Sequence, residues 1–133
     1  MGPDSGVGFA GFTEALSHVV PYVRVRDLSV SLEFYVDQLG FREVERFSPG
    51  PDLPGRVAIA RGGVTLMLTE RDEAPFGGLV CLHTSELETV FHELSARGVT
   101  IDLAPTDMPW NLREMHLRDP DGNQLRLAQP VLV

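Results

Sequence analysis

Asp119-Pro-Asp-Gly-Asn-Gln-Leu-Arg-Leu127 decides the fold once it is laid over Arg61-Gly-Gly-Val-Thr-Leu-Met-Leu68. Each is a tight turn followed by a segment with alternating leucines. Shifting the chain against itself by 59 residues (122 − 63 = 59) places Gly63 on Gly122, Leu66 on Leu125, Leu68 on Leu127 and Leu28 on Leu87. A duplicated module predicts a pseudo-twofold architecture with a site between its halves. The overlay also aligns positions that carry chemistry, so missing groups become visible.

Residues 19–26 alternate: Val19, Pro21, Val23 and Val25 on one face, Val20, Tyr22, Arg24 and Arg26 on the other. That is a half-buried strand. Asp27 is placed to cap a helix whose apolar positions are Leu28, Leu32, Tyr35, Val36 and Leu39, ended by Gly40. Residues 41–47 read as a strand. Residues 48–55 form a loop rich in proline and glycine. Gly62-Gly63 joins strands 57–61 and 64–69 as a hairpin. After a linker at 71–78 the pattern returns, with a strand at 79–84 and Ser85 with Glu88 as a capping box. Leu87, Val90, Phe91 and Leu94 make one helical face, closed by Gly98. A short strand at 100–103, a loop at 104–111 carrying Trp110, and strands at 112–118 and 124–129 complete the half. The expected fold class is α+β. Two βαβββ modules in tandem, 18–70 and 79–129, form a curved mixed sheet with a concave ligand cleft and helices on the outer face. Together they make a single domain, 18–133, behind a flexible, glycine-rich tail at 1–17.

Composition narrows the function. A net charge of −8 lacks the basic stripe that nucleic acid needs, and an anionic membrane surface would repel it. No apolar run is long enough to span a bilayer. One cysteine, Cys81, excludes a disulfide framework and points to a reducing, cytoplasmic compartment.

Pro21-Tyr-Val-Arg-Val-Arg-Asp-Leu28, then Ser31-Leu-Glu-Phe-Tyr35, then Leu39-Gly-Phe41, resembles the opening of a vicinal-oxygen-chelate module. Trp110 a few residues before Asp119-Pro-Asp-Gly-Asn resembles its close. In this order and duplicated, these motifs are similar to the glyoxalase, bleomycin-resistance and extradiol dioxygenase superfamily over residues 19–129. The resemblance implies metal ligands at two positions per module in the enzymes of that superfamily. In this chain those positions hold Val20 and Met67, then Leu79 and Arg126. None suits a divalent ion, and an arginine would repel one. The expectation is therefore no metal and no cofactor, as in the bleomycin-resistance branch. That branch implies a homodimer trapping drugs between modules of two chains, with a tryptophan at the place of Trp110 stacking on flat ligand rings.

Strand alternation assigns Val20, Tyr22 and Arg24, and Thr65, Met67 and Thr69, to the concave face of the first module. The second contributes Leu79, Cys81 and His83, with Gln124, Arg126 and Ala128. Phe47 and Phe76 border loops and either extend an apolar wall or pack into the core. The candidate ligand-binding residues are thus Trp110, Tyr22, Arg24, Phe47, Met67, Phe76, Cys81, His83, Glu114, His116 and Arg126, with no catalytic set. Trp110 is either a core plug or a stacking ring. Arg24 and Arg126 either pair with Glu114 or bind acidic or carbonyl groups of a ligand. Cys81 reads as a buried small hydrophobe, and a Cys81–His83–His116 metal site can be drawn. Two functions stay open. One is a binding protein that sequesters a planar aromatic antibiotic and confers resistance. The other is a lyase, isomerase or oxygenase using Glu114, His116 or Arg126, or an unorthodox metal.

Overall fold

The computed structural model describes residues 9–131. The elements run β1 (Tyr22–Arg24), α1 (Leu28–Leu32), β2 (Arg42–Phe47), β3 (Arg56–Arg61), β4 (Val64–Thr69), β5 (Leu79–His83), α2 (Leu87–Ala96), β6 (Ile101–Asp107), β7 (Leu112–Arg118) and β8 (Gln124–Pro130). Each half is βαβββ, as the repeat requires. Among the described residues there are two four-stranded sheets, ordered β1-β4-β3-β2 and β5-β8-β7-β6. In each, the first strand runs parallel to the last and the other pairs are antiparallel. Among the described residues no ladder joins the two sheets. Of the expected tail, residues 1–8 lie outside the described residues. Residues 9–11 form a short 3-10 turn, and residues 10–17 are exposed.

One face of each sheet is apolar, and the two meet in a common core. Val23, Val25, Ile59, Leu66 and Leu68 from the first module join Leu94, Met115, Leu117, Leu125 and Leu127 from the second. The Asp119–Asn123 turn pins the modules together. Tyr35 is fully buried and donates its hydroxyl to Asp119 Oδ2 at 2.8 Å. Arg26 pairs with Asp121 at 3.0 Å, and Asn123 Nδ2 donates to the carbonyl of Arg24. Burial, then the Asp119 charge, pushes the Tyr35 phenol far above its ordinary range, so it stays a donor.

Three local expectations are corrected. The first helix is α-helical only over Leu28–Leu32 and continues as a wider π-helical turn over Glu33–Gln38. The capping box at Ser85 does not form. Glu86 is the N-cap, and the amide of Leu87 donates instead to Gln129 Oε1 at 2.8 Å. Its repeat partner does the same in the first module, where Leu28 donates to Glu70 Oε2 at 2.8 Å. The offset holds here as well, because 70 + 59 = 129. Finally, β6 extends to Asp107 through residues expected to be loop. Pro105 is accommodated because β6 is an edge strand with irregular register between Leu103 and Thr106.

Candidate ligand-binding faces

Cross-strand register groups the side chains on the sheet faces turned away from the core. On the second sheet one row holds Cys81, Arg126, His116 and Leu103, and the next holds His83, Ala128, Glu114 and Thr106. Trp110 stands in a short turn before β7. The amide of Asn111 closes on the carbonyl of Met108, and Asn111 itself has φ of 66°. The indole is 58% exposed, so Trp110 is not a core plug. Its Nε1 donates to Glu114 Oε2 at 2.7 Å, while Glu114 Oε1 sits 2.8 Å from His116 Nε2. Glu114 itself is only 4% exposed. The bond to His116, then that from Trp110, holds its carboxyl below the usual carboxylate value against the opposing effect of burial. An ionised carboxylate therefore clamps the ring and the imidazole from beneath.

The first sheet presents Tyr22, Met67 and Ala58 in one row, and Arg24, Thr69, Arg56 and Phe47 in the next. Tyr22 and Phe47 are nearly half exposed. Guanidinium groups sit over the rings: Arg56 over Tyr22 and Phe47, Arg71 over Phe47. A shallow hollow of about 230 Å³ is lined by Glu45, Arg46, Phe47, Arg56 and Met67. The linker folds back over the far end of this face. Arg24 bonds to Asp72 and to the carbonyl of Ala74, and Phe76 lies between Arg24 and Arg26. Thr69 is buried beneath it, bonded to Glu73.

The two faces therefore collect the expected residues into two groups. Tyr22, Arg24, Phe47, Met67 and Phe76 lie on or beside the first sheet. Cys81, His83, Trp110, Glu114, His116 and Arg126 lie on the second. Other expectations change. Cys81 is exposed rather than buried, because it sits on the face turned away from the core. Partial desolvation, then Glu114, raises its thiol pKa, which argues against a reactive thiolate. Its sulfur is 3.9 Å from His83 Nε2, but His116 turns its Nε2 to Glu114. No three His, Cys, Asp or Glu side chains converge for a metal among the described residues. Neither Arg24 nor Arg126 pairs with Glu114, whose two oxygens are already occupied. Arg56 and Arg71 are face residues beyond those expected. Alternation along β3 from Ala58 places Arg56 on the first face, and Leu79, expected on the second, is half exposed there.

A separate cleft of about 350 Å³ opens between the β3–β4 hairpin and α2, lined by Phe41, Arg61, Gly62, Leu82, His83, Val90 and Leu127 among others. Of the expected residues it takes only His83.

The sequence from 15 to 127 matches the family model described as the glyoxalase/bleomycin resistance protein/dioxygenase superfamily. The chain belongs to this superfamily. No curated protein sequence matches it. Among solved structures it is similar to the bleomycin resistance determinant encoded on the transposon Tn5, with 25% identity and a TM-score of 0.73 over 88% of this chain and 100% of that one. It is also similar to TnmS3, an antibiotic-binding protein from Streptomyces sp. CB03234, with 30% identity and a TM-score of 0.70 over 87% and 98%. A third is a superfamily member from Sphaerobacter thermophilus DSM 20745, with 29% identity and a TM-score of 0.69 over 86% and 98%. At the superfamily's metal-ligand positions this chain carries Val20, Met67, Leu79 and Arg126, a donor set that does not fit a divalent ion. No helix among the described residues is long and apolar enough to cross a membrane.

Proposed function

We propose that this chain is a metal-free binding protein that sequesters a planar, partly aromatic antibiotic in the cytoplasm and so confers resistance. The observation that carries the reading is Trp110, exposed yet held in place by a buried carboxylate. An apolar ring costs free energy to display, and its orientation here is fixed in advance. Preorganisation of that kind lowers the entropy cost of binding. Bleomycin and antibiotic binding by similar proteins supports the same ligand class.

The reading includes a homodimer. Each candidate face points away from the shared core and belongs to a separate sheet, so neither closes over a ligand by itself. An isologous pairing would lay the first sheet of one chain against the second sheet of its partner and make two equivalent clefts. The Glu114–His116 pair favours an alternative, an acid–base enzyme. Against it, both Glu114 oxygens are occupied and its pKa is depressed, which makes a weak base.

A thermal-shift screen against aromatic antibiotics tests the proposal. A binder at 100 times its Kd stabilises the native state by about 2.7 kcal/mol, readable as a clear rise in Tm. Trp110→Ala should weaken the same ligand by about 2 kcal/mol, some thirty-fold. If no compound in a broad panel moves the Tm, or Trp110→Ala binds as well as wild type, the proposal falls.

A further inference from the structure

The arginines of this chain are almost all spoken for. Arg24, Arg26, Arg46, Arg56, Arg61, Arg71, Arg113 and Arg118 make ion pairs, and Arg97 donates to the carbonyl of Asp37. Among the described residues only Arg42 and Arg126 make neither a hydrogen bond nor an ion pair. Arg42 stands exposed on edge strand β2, where water serves it. Arg126 does not. Its side chain is partly buried, and its Nε is closed off from solvent with no partner. Its terminal nitrogens remain open to the ligand face.

The nearest counter-charge is withheld. Glu114 lies one row away, but one oxygen accepts from Trp110 and the other faces His116. The face therefore carries a permanent cation, fixed on a strand, whose natural partner is turned to holding the aromatic ring. A partly desolvated guanidinium without an acceptor is unfavourable until an oxyanion reaches it.

Spacing completes the argument. Arg126 is opposite His116 in the β7–β8 ladder, and Glu114 is opposite Ala128. Diagonal neighbours on such a face are about 7–8 Å apart. Trp110 is bonded to Glu114, so indole and guanidinium belong to neighbouring rows of one face, within reach of a single small aromatic ligand. Building on the binding reading above, we propose that this face selects aromatic anions. A carboxylate or phenolate oxygen sits on Arg126 while the ring system lies on Trp110. With a net charge of −8 the chain as a whole repels such ligands. Selectivity therefore comes from the local contact and not from the overall field.

The test uses full-length protein and three probes of one shape: naphthoate, naphthamide and naphthylmethylammonium. Calorimetric titration should rank naphthoate first, at least about ten-fold tighter than the amide, with the ammonium weakest. Arg126→Gln should bring the naphthoate-to-amide ratio near one, and Arg126→Lys should restore part of it. The wild-type ranking needs no variant, so it stands even if a variant folds poorly. Equal affinity for naphthoate and amide, or a preference that survives Arg126→Gln, overturns the anion proposal. If all three probes bind alike and Trp110→Ala abolishes them, the binding reading stands and only the anion preference is lost. If none binds wild type while the antibiotic panel yields a ligand, only the anion proposal falls; if the panel also yields none, both fall. Should Arg126→Gln split a dimer in light scattering, Arg126 serves a carboxylate of a second copy, and the proposal is wrong.

Discussion

Replacing Glu114 by alanine should loosen Trp110 and destabilise the fold together. The carboxylate is 4% exposed and makes two bonds, 2.7 Å from Trp110 and 2.8 Å from His116. A hydrogen bond to a charged group contributes about 1.5–3 kcal/mol, so two contribute about 3–6 kcal/mol before desolvation is counted. Burial of the carboxylate opposes them, and both donors can return to water once it is gone. A net loss of about 2 kcal/mol is expected. For a domain of this size that is a Tm lower by roughly 6–10 °C. The assay is thermal denaturation by circular dichroism, paired with fluorescence anisotropy of Trp110, the sole tryptophan. Anisotropy should fall in Glu114→Ala. A double-mutant cycle with Trp110→Phe should return a coupling of about 1 kcal/mol. A Tm within a degree of wild type and unchanged anisotropy would refute the claim that Glu114 holds the ring.

The same carboxylate sets a pH dependence. Its folded pKa lies below the ordinary 4.5, so its stabilisation is complete above that value and is lost as pH falls through the folded pKa. The stability gap between wild type and Glu114→Ala should therefore shrink below pH 4.5 and stay constant just above it, as denaturant titrations at several pH values would show. Tyr35→Phe removes the buried cross-module bond to Asp119 and should cost about 1–2 kcal/mol in chemical denaturation, with little effect on ligand affinity. Glu70→Ala should destabilise more than Gln129→Ala, because Glu70 accepts from both Leu28 and Gly55 whereas Gln129 caps Leu87 alone; about 2 against 1 kcal/mol is expected by the same measurement. Light scattering at micromolar concentration should give a particle near twice 14.6 kDa, and a monomer mass would count against the paired clefts.

Much of the fold was legible because it is written twice. The offset of 59 aligns the hairpins and helices, and strand alternation alone sorts Tyr22, Met67, Cys81 and Arg126 from the core leucines. The same offset also relates Glu70 to Gln129, which are equivalent caps on Leu28 and Leu87. Ser85 misled because a capping box is a local signal, and a side chain from β8 reached the Leu87 amide first. Pro105 suggested a loop, yet an irregular edge strand tolerates it. The residue type of Cys81 suggests burial, but its position on β5 turns it outward. The clamp on Trp110 lay beyond sequence. Which donor reaches a buried carboxylate depends on rotamers, and Glu114 has His116 and Arg126 one row away and Trp110 in the turn before β7 within reach. The Asp119 turn looked like local turn chemistry alone. Its role as the seat of Tyr35 appears only when the modules are docked.

The most direct test is a crystal structure of the protein with the tightest aromatic antibiotic from the thermal-shift screen. The account predicts two copies of the chain, with the ligand's ring stacked on the Trp110 indole between the second sheet of one and the first sheet of the other. A ligand seated instead in the cleft between the β3–β4 hairpin and α2, with Trp110 left open to solvent, would contradict it.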